Sequence, residues 1–232
     1  MSDATPSGAE APIRAVIFDM DGVLVDSEPL LFEAERILLA ELGAELTEEI
    51  KKPFIGLGGH EVLQALLDHF GLAADVAALG KHKGEIYHEM ARTVPGFAPT
   101  AELARAVHAD GIPLAIASGS TPEGIAICLA AIGLTEQFPV QVSVSSVARG
   151  KPAPDVFLAA AERLGVPPAN CLVVEDAIHG VEAAQAAGMR VIAIPSVTDP
   201  LDPGFGRADL LVGGGMTAAD SGELIAWVRA RY

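Results

Sequence analysis

The stretch Ala15-Val16-Ile17-Phe18-Asp19-Met20-Asp21-Gly22 indicates which fold this chain adopts. Its first four residues are apolar, as expected for a strand buried on both faces of a parallel sheet. Asp19 and Asp21 follow at the end of that run, where a strand that served only as core would continue with apolar residues. Two carboxylates this close repel each other, so the pair favours a site that binds a cation. The alternative is a solvated turn, because Asp and Gly both favour turns.

Apolar runs of the same kind recur and predict further buried strands at residues 113–117, 140–144, 172–174, 191–194 and 210–212. Helical patterns lie between most of these runs, at residues 101–109, 122–132, 155–164 and 178–187, and a last helix is predicted at 221–229. This alternation predicts an α/β fold with a doubly wound parallel sheet. In such a sheet, ligands bind beyond the carboxyl ends of the strands.

One long segment, residues 30–92, contains no predicted strand. Leu31, Leu38 and Leu42 recur in it at helical spacing, and a second pattern of this kind follows Gly59. We interpret the segment as a helical module inserted after the first strand, with the apolar stripes forming the module's own core. The chain is expected to return to the sheet near Val94-Pro95-Gly96.

Charge and composition exclude several classes of partner. The chain has 232 residues and a net charge of −16, which disfavours nucleic acid and anionic membranes as partners. No apolar stretch reaches the length of a membrane span. A local site can still reverse this charge, so an anionic small molecule remains a possible substrate.

The cysteines and the first residues predict where the protein works. Cys128 and Cys171 lie in apolar settings and are expected to be buried thiols in a reducing compartment. Residues 1–12 are polar and acidic and lack the features of a signal peptide, so we expect a frayed tail. The predicted location is the cytoplasm.

Three further polar segments lie beside predicted strand ends or helix starts: Ala117-Ser118-Gly119-Ser120, Gly150-Lys151-Pro152 and Val174-Glu175-Asp176. Each alone has an ordinary explanation. A serine commonly caps a helix, a lysine is commonly a surface charge, and acidic residues favour the start of a helix. Together with the first stretch, the segments supply a nucleophile, a phosphate cradle and a metal site at one edge of the sheet.

The expected chemistry follows from charge. An oxygen nucleophile that attacks a phosphate dianion meets a repulsion of about 4 kcal/mol per pair of unit charges at ~4 Å and an effective dielectric constant near 20. Mg²⁺ suits a site of oxygen ligands, and no His/Cys cluster suggests zinc. We predict that Asp19, Asp176 and Glu175 hold Mg²⁺, that Asp21 faces it through its backbone carbonyl, and that Lys151 adds positive charge.

The remaining roles follow from geometry at the strand ends. Ser118 and the backbone N–H groups of Gly119 and Ser120 are predicted to bind the phosphoryl oxygens near a helix N-terminus. Asp19 is predicted to be the covalent nucleophile that forms an aspartyl phosphate. Asp21 is predicted to protonate the leaving alkoxide and later to take a proton from the attacking water.

In chain order, these residues resemble the four motifs of the haloacid dehalogenase superfamily of aspartate-nucleophile phosphotransferases: Asp19-Met20-Asp21-Gly22-Val23-Leu24, Ser118, Lys151 and Glu175-Asp176. Three longer stretches are similar to its β-phosphoglucomutase-like branch: Val25-Asp26-Ser27-Glu28-Pro29, Lys151-Pro152-Ala153-Pro154-Asp155 and Glu175-Asp176-Ala177-Ile178-His179-Gly180. The resemblance implies a Rossmann-like core with an inserted helical cap. The implied core covers residues 13–29 and 94–232, and the implied cap covers 30–93.

The resemblance favours a Mg²⁺-dependent phosphatase of small phosphorylated metabolites, most simply sugar or polyol phosphates, acting as a monomer. Dehalogenase members lack the second aspartate that is present here as Asp21. The alternative is a hexose-phosphate mutase, but similar mutases carry a histidine where this chain has Leu31. A phospho-acceptor resembling a receiver domain is a further rival, which the length of the chain and the aspartate pair disfavour.

Three further predictions concern residues around the implied site. Gly56-Leu57-Gly58-Gly59-His60 occupies the region of a substrate-specificity loop in relatives. Lys83 lies near a cap lysine that some relatives use, but we expect it on a solvated face. His179 is expected to lie beside the site without binding metal.

Overall fold

The computed structural model describes residues 11–54, 59–197 and 201–232. Residues 1–10 of the predicted tail therefore lie outside the described residues, as do Gly56, Leu57 and Gly58 of the predicted specificity loop. Within the described ranges, one parallel sheet contains β1 (Ala15–Phe18), β2 (Leu114–Ser118), β3 (Val140–Ser143), β4 (Cys171–Glu175), β5 (Arg190–Ala193) and β6 (Leu210–Leu211). The strands lie in the order β3-β2-β1-β4-β5-β6, which confirms the predicted α/β fold.

The described helices divide into two groups. Those between β1 and the return of the chain to the sheet are α1 (Glu28–Glu41), α2 (Glu48–Lys51), α3 (Gly59–Phe70) and α4 (Val76–Ala91), here called the helical insert. Those around the sheet are α5 (Ala98–Ala109), α6 (Pro122–Ala131), α7 (Asp155–Leu164), α8 (Ile178–Ala186) and α9 (Ser221–Arg229). No described helix is long and apolar enough to cross a bilayer.

Alternation along β1 places its side chains in two cores on opposite faces of the sheet. Val16 and Phe18 pack in a core that includes buried residues of α5, α6 and α9. Ala15 and Ile17 pack in the other core, against residues of α7 and α8. Successive side chains of a strand point to opposite faces, and each fully buried large apolar side chain contributes about 1.5–3 kcal/mol. The apolar run therefore stabilises both layers and fixes β1 at the centre of the sheet.

The register of β1 determines where the first aspartate lies. Phe18 pairs with Ile116 of β2 and with Val174 of β4. Asp19, the next residue, donates its backbone N–H to the Val174 carbonyl at 3.0 Å. Asp19 therefore leaves the sheet between the carboxyl ends of its two neighbouring strands, β2 and β4.

The helical insert has a core of its own, in which Leu39, Leu46, Val62 and Leu66 are buried. Its two connections to the sheet lie side by side, and Val25 and Gly96 form an antiparallel bridge. The backbone N–H of Asp26 donates to the Pro95 carbonyl at 2.9 Å, and that of Phe97 donates to the Leu24 carbonyl at 2.9 Å. The chain therefore leaves and rejoins the sheet layer at neighbouring positions.

Candidate active site

The predicted site residues meet at the carboxyl edge of the sheet. Asp19 follows β1, Ser118 is the last residue of β2, and Glu175 is the last residue of β4. Lys151 lies in the loop between β3 and α7 and reaches two of these side chains. This edge is where parallel α/β sheets bind ligands.

Lys151 joins two of the carboxylates. Its Nζ donates to Asp19 Oδ1 at 2.5 Å and to Glu175 Oε1 at 2.5 Å. The ammonium also lies 5.0 Å from the centroid of the Phe157 ring. The side chains of Lys151, Asp19 and Glu175 are 14%, 9% and 1% exposed. Both ion pairs are therefore largely shielded from solvent.

The side chains of this site carry more negative than positive charge. Burial raises the pKa of Asp19 to about 7; Lys151 opposes this shift, while Glu175 and Asp21 reinforce it. Burial and the neighbouring carboxylates of Glu175 and Asp19 also raise the pKa of Asp176. Burial alone would lower the pKa of Lys151, but Asp19 and Glu175 outweigh it and keep the ammonium charged. One lysine thus faces more carboxylates than it can neutralise.

This balance predicts how stability depends on pH in metal-free buffer. The folded-state pKa of Asp19, about 7, exceeds its ordinary value of 3.8, so between these values the folded state binds more protons than the unfolded state. The free energy of unfolding should therefore fall as pH rises through this window, by up to about 1.4 kcal/mol per pH unit for this group. Urea unfolding in EDTA at pH 5 to 7.5 measures the slope. The Asp19→Asn variant cannot titrate at this position and should show a smaller slope, to which Asp176 still contributes. An equal slope in that variant would contradict the prediction.

Glu175 also organises the start of α8. Its Oε2 accepts hydrogen bonds from the backbone N–H groups of Asp176 at 2.9 Å and Ala177 at 3.0 Å. Both of its oxygens are thereby engaged, one with Lys151 and one with backbone N–H groups. A Cβ at position 180 would come within 1.9 Å of the Glu175 carboxyl group, so Gly180 is needed for this close approach.

Gly180→Ala should therefore destabilise the protein by about 1–3 kcal/mol, because the new methyl group must displace the Glu175 carboxylate or the helix. Activity should fall as well, since Glu175 holds Lys151. Gly84→Ala is a matched control: Gly84 also lies within a helix, but among the described residues its added Cβ would meet nothing within 4 Å. That change should stabilise the protein by up to about 1 kcal/mol. Urea unfolding compares the two, and equal stabilities would contradict the steric argument.

Gly22 plays a corresponding part on the other side of the crevice. Its φ angle is +77°, and a Cβ there would lie 2.1 Å from Asp176 Oδ2. The glycine therefore allows both the turn after β1 and the close approach of Asp176.

Asp21 contacts the loop that is predicted to bind phosphate. Its Oδ2 accepts hydrogen bonds from Ser120 Oγ at 2.7 Å and from Ser118 Oγ at 3.3 Å. Ser118 Oγ in turn accepts from the backbone N–H of Ser120 at 2.9 Å. Asp21 Oδ1 is buried and has no hydrogen-bond partner among the described residues. The sequence pattern predicted the cradle but not the hydroxyl of Ser120 as a partner of Asp21.

A cavity of about 660 Å³ opens above these carboxylates. Its described lining includes Asp19, Asp21, Gly119, Lys151, Glu175 and Asp176 of the predicted site. His179 lines it too, beside the site as expected, and so do Glu28 and Phe205, to which sequence reasoning gave no role. The volume lies within the range of small-molecule sites.

The residues present fit a hard divalent cation in charge and donor type. Carboxylate oxygens are the ligands that Mg²⁺ prefers, and the group carries excess negative charge. Asp21 Oδ1 is also a buried acceptor with no partner in the part of the chain that the structure describes. Within the described part of the chain, no three His, Cys, Asp or Glu side chains are already arranged around a common metal position. Cation binding is therefore expected to reorient at least one carboxylate of the group.

The expectation that Lys83 lies on a solvated face is wrong. Its side chain is only 13% exposed, and its Nζ donates to the buried Glu35 Oε1 at 3.2 Å. A single sequence does not reveal this contact, because the two residues are 48 positions apart on different helices. His60 lies exposed in the first turn of α3.

A comparison with protein families identifies the chain. The model described as haloacid dehalogenase-like hydrolase matches residues 13–188. The chain therefore belongs to the haloacid dehalogenase-like hydrolases. This confirms the predicted family and the predicted class of enzyme, a phosphatase of this family.

Two curated relatives and one solved structure illustrate the similarity. The phosphorylated carbohydrates phosphatase of Thermotoga maritima is 36% identical over 185 residues, which cover 78% of this chain and 84% of the relative. The chloroplastic protein SUPPRESSOR OF QUENCHING 1 of Arabidopsis thaliana is 38% identical over 187 residues; these cover 78% of this chain but only 18% of that protein. The crystal structure of CbbY from Rhodobacter sphaeroides in complex with phosphate has a TM-score of 0.77 at 28% identity, covering 89% of this chain and 99% of that one.

Proposed function

We propose that this protein is a cytoplasmic Mg²⁺-dependent phosphatase of small phosphorylated metabolites, chiefly sugar or polyol phosphates. The observation that carries the proposal is the Asp19 carboxylate, which lies 2.5 Å from the buried ammonium of Lys151 at the edge of a cavity of about 660 Å³. The Thermotoga maritima relative, which acts on phosphorylated carbohydrates by its name, supports the substrate class.

In the proposed reaction, an oxygen of Asp19 attacks phosphorus and the bond from phosphorus to the substrate oxygen breaks. Asp21 gives a proton to the leaving alkoxide, so the first product departs as an alcohol. Asp21 then accepts a proton from a water molecule that attacks the aspartyl phosphate. Inorganic phosphate leaves and the Asp19 carboxylate is restored.

Charge neutralisation is the main requirement of this reaction. Asp19, Asp176 and the backbone carbonyl of Asp21 would hold Mg²⁺, with Glu175 as a further predicted ligand, and the ion would supply positive charge against the phosphate dianion. Lys151 supplies a second positive charge at the transferring group. The electrostatic effect of Mg²⁺ and of Lys151 is strongest where water is excluded.

The loop after β2 is proposed to bind the phosphoryl oxygens. Ser118 and the backbone N–H groups of Gly119 and Ser120 supply donors, and α6 begins at Pro122, so its N-terminus favours negative charge. The two serine hydroxyls now contact Asp21 Oδ2. An incoming phosphate would compete for them and free Asp21 to face the leaving oxygen.

The helical insert is proposed to act as the cap, which closes over the substrate and excludes bulk water. In this proposal residues 30–93 form the cap, and residues 13–29 and 94–232 form the core. Leu31 of α1 packs against the apolar core and offers no proton-transferring group. This supports hydrolysis over transfer to a second sugar hydroxyl.

The test is a screen of phosphate release from phosphorylated metabolites, with Mg²⁺ or with EDTA. We expect Mg²⁺-dependent release from at least one sugar or polyol phosphate, and none from an Asp19→Asn preparation purified in parallel, which controls for contaminating phosphatases. Isomerisation of glucose phosphates is assayed alongside, with and without a bisphosphate activator. Isomerisation that outpaces phosphate release would overturn the proposal in favour of the mutase.

A further inference from the structure

Beyond the catalytic carboxylates, the cavity is lined by residues to which the proposed reaction gives no role. Ile178 lies at the start of α8, Val197 follows β5, and Asp202 and Phe205 lie before β6. All four therefore come from the segments that follow β4 and β5. Ile178, Val197 and Phe205 are here called the apolar shelf.

The apolar shelf lies on the side of the sheet away from the helical insert. In the strand order, β4 and β5 lie on one side of β1 and β2 lies on the other. The insert packs on the β2 side, where Tyr87 Oη of α4 lies 3.4 Å from Cys128 Sγ of α6. Among the described lining residues, only Glu28 belongs to the insert. The loops of the sheet domain therefore form much of the wall that the ester group of a substrate would meet.

Val197 presents an unusual amount of apolar surface to this cavity. It is 49% exposed, and Leu158 and Tyr232 are the only other large hydrophobic side chains that are exposed in the described ranges. Neither of those two lines the cavity, whereas Val197 lines it together with Ile178 and Phe205. Apolar side chains around a few polar groups are typical of a small-molecule site.

Packing holds the shelf in place. A Cβ on Gly204 would lie 2.6 Å from Ile178 Cδ1, so the glycine allows Ile178 to pack against the turn Pro203–Arg207. Phe205 of this turn is buried in the core that includes residues of α8. Asp202 Oδ1 accepts a hydrogen bond from the backbone N–H of Gly204 at 2.7 Å. The described contacts of Asp202 leave Oδ2 as an acceptor for a ligand.

The charges near the shelf restrict what it can bind. Lys151 is the only lysine or arginine in the described lining, and it already pairs with Asp19 and Glu175. Asp202 adds negative charge, so a second anionic group on the substrate would be repelled. Hydroxyl groups placed against the apolar side chains would lose water without gaining partners. An uncharged planar ring fits better, because its faces are apolar and its edge can donate an N–H to Asp202.

We propose that the apolar shelf and Asp202 determine specificity by binding a nitrogen heterocycle attached to the sugar of the substrate. The occupant is the far end of the phosphoester itself, because Asp19 and the shelf line one cavity. The cavity of about 660 Å³ has room for a ligand larger than a hexose phosphate. This inference rests on the proposed function and narrows its sugar phosphates to nucleoside 5′-monophosphates.

The test compares two substrates that share a ribose 5-phosphate. Cytidine 5′-monophosphate carries a base, and methyl β-D-ribofuranoside 5-phosphate carries a methoxy group in its place. We expect kcat/KM to be at least about tenfold higher for the nucleotide, equivalent to about 1.4 kcal/mol. Val197→Ser should lower this ratio by about fivefold, because the ring loses contact with one or two methyl groups.

Asp202→Asn tests the polar contact. The amide keeps an oxygen for the N–H of Gly204 but presents an NH₂ donor in place of the second acceptor. It should therefore favour uridine 5′-monophosphate, which has a carbonyl where cytidine has an amino group. The ratio of kcat/KM for the cytidine nucleotide to that for the uridine nucleotide should fall by about tenfold.

Leu158→Ser is the matched control for Val197→Ser. Leu158 is 39% exposed, but it lies on α7 and does not line the cavity. This variant should keep the wild-type ratio of nucleotide to methyl riboside phosphate. Equal kcat/KM for these two substrates in the wild-type protein would overturn the inference, and so would ratios that both shelf variants leave unchanged. If Val197→Ser does not fold, an unchanged ratio in Asp202→Asn overturns it equally.

Binding separates this inference from the proposed function. Calorimetry in the Asp19→Asn background, with Mg²⁺ present, measures the affinities for cytidine 5′-monophosphate and the methyl riboside phosphate without turnover. Tighter binding of the nucleotide that is lost on adding Val197→Ser would support the shelf even if phosphate release proved absent. Release of phosphate from sugar phosphates, with equal affinities for the two compounds, would leave the phosphatase standing and refute the role of the shelf.

Discussion

Asp19→Asn should abolish phosphate release while leaving the fold intact. The amide keeps the size of the carboxylate and can still accept a hydrogen bond from Lys151, but it lacks the charged oxygen that attacks phosphorus. Removal of a covalent nucleophile commonly costs about four orders of magnitude or more in kcat. Steady-state release from the best substrate of the screen measures the loss, and circular dichroism checks the fold. Substantial residual activity would refute the covalent route.

The companion variant Asp21→Asn addresses the intermediate itself. Without a group to take a proton from water, the aspartyl phosphate should break down slowly and accumulate. Mass spectrometry of the acid-quenched protein should then show one added phosphoryl group, located at Asp19 after peptide digestion. A phosphoryl group at another residue would contradict the assignment of the nucleophile.

Lys151→Met is expected to have the second largest effect. The methionine keeps an apolar contact with the Phe157 ring, but Asp19 and Glu175 lose the cation that lies 2.5 Å from each. Removing one partner of a buried ion pair destabilises a protein by about 3–5 kcal/mol. Loss of one such electrostatic group should also lower kcat by about 10²–10³-fold. Urea unfolding and steady-state kinetics measure the two effects.

Arg149→Met gives the control for Lys151→Met. Arg149 lies two residues earlier in the same loop, but its side chain is 70% exposed and pairs with Asp155 at the surface. Its loss should change stability by less than about 1 kcal/mol and leave kcat unaltered. If Lys151→Met behaved in the same way, Lys151 would have no part in the site.

The sequence predicted the sheet well because its strands are buried on both faces. A continuous apolar run such as Ala15–Phe18 has few alternatives to a buried strand, and its bounds agree with β1. The sequence predicted the ends of other strands less accurately. Ser118 and Glu175 belong to β2 and β4, whereas the apolar pattern stops one residue earlier. The backbone of a polar residue can still pair with the neighbouring strand, and the pattern of apolar residues does not reveal such pairing.

The site was predictable as a set of residues but not as a set of contacts. The motifs bring Asp19 and Lys151 to one edge through topology alone. The hydrogen bond between Ser120 and Asp21, and the pairing of Glu35 with Lys83, join positions 99 and 48 residues apart. Such contacts depend on how helices pack and which rotamers are free, and periodicity along one chain does not carry that information.

The antiparallel bridge between Val25 and Gly96 has a consequence for engineering. Because the chain departs from the sheet and comes back at nearly the same place, a few residues of flexible linker would suffice to join the two ends. On the proposed role of the helical insert as a cap, a shortened protein made in this way would admit phosphoesters that the cap excludes. Grafting the corresponding segment of another phosphatase between the same two residues would, by the same reasoning, exchange substrate preference while leaving the machinery of hydrolysis in place.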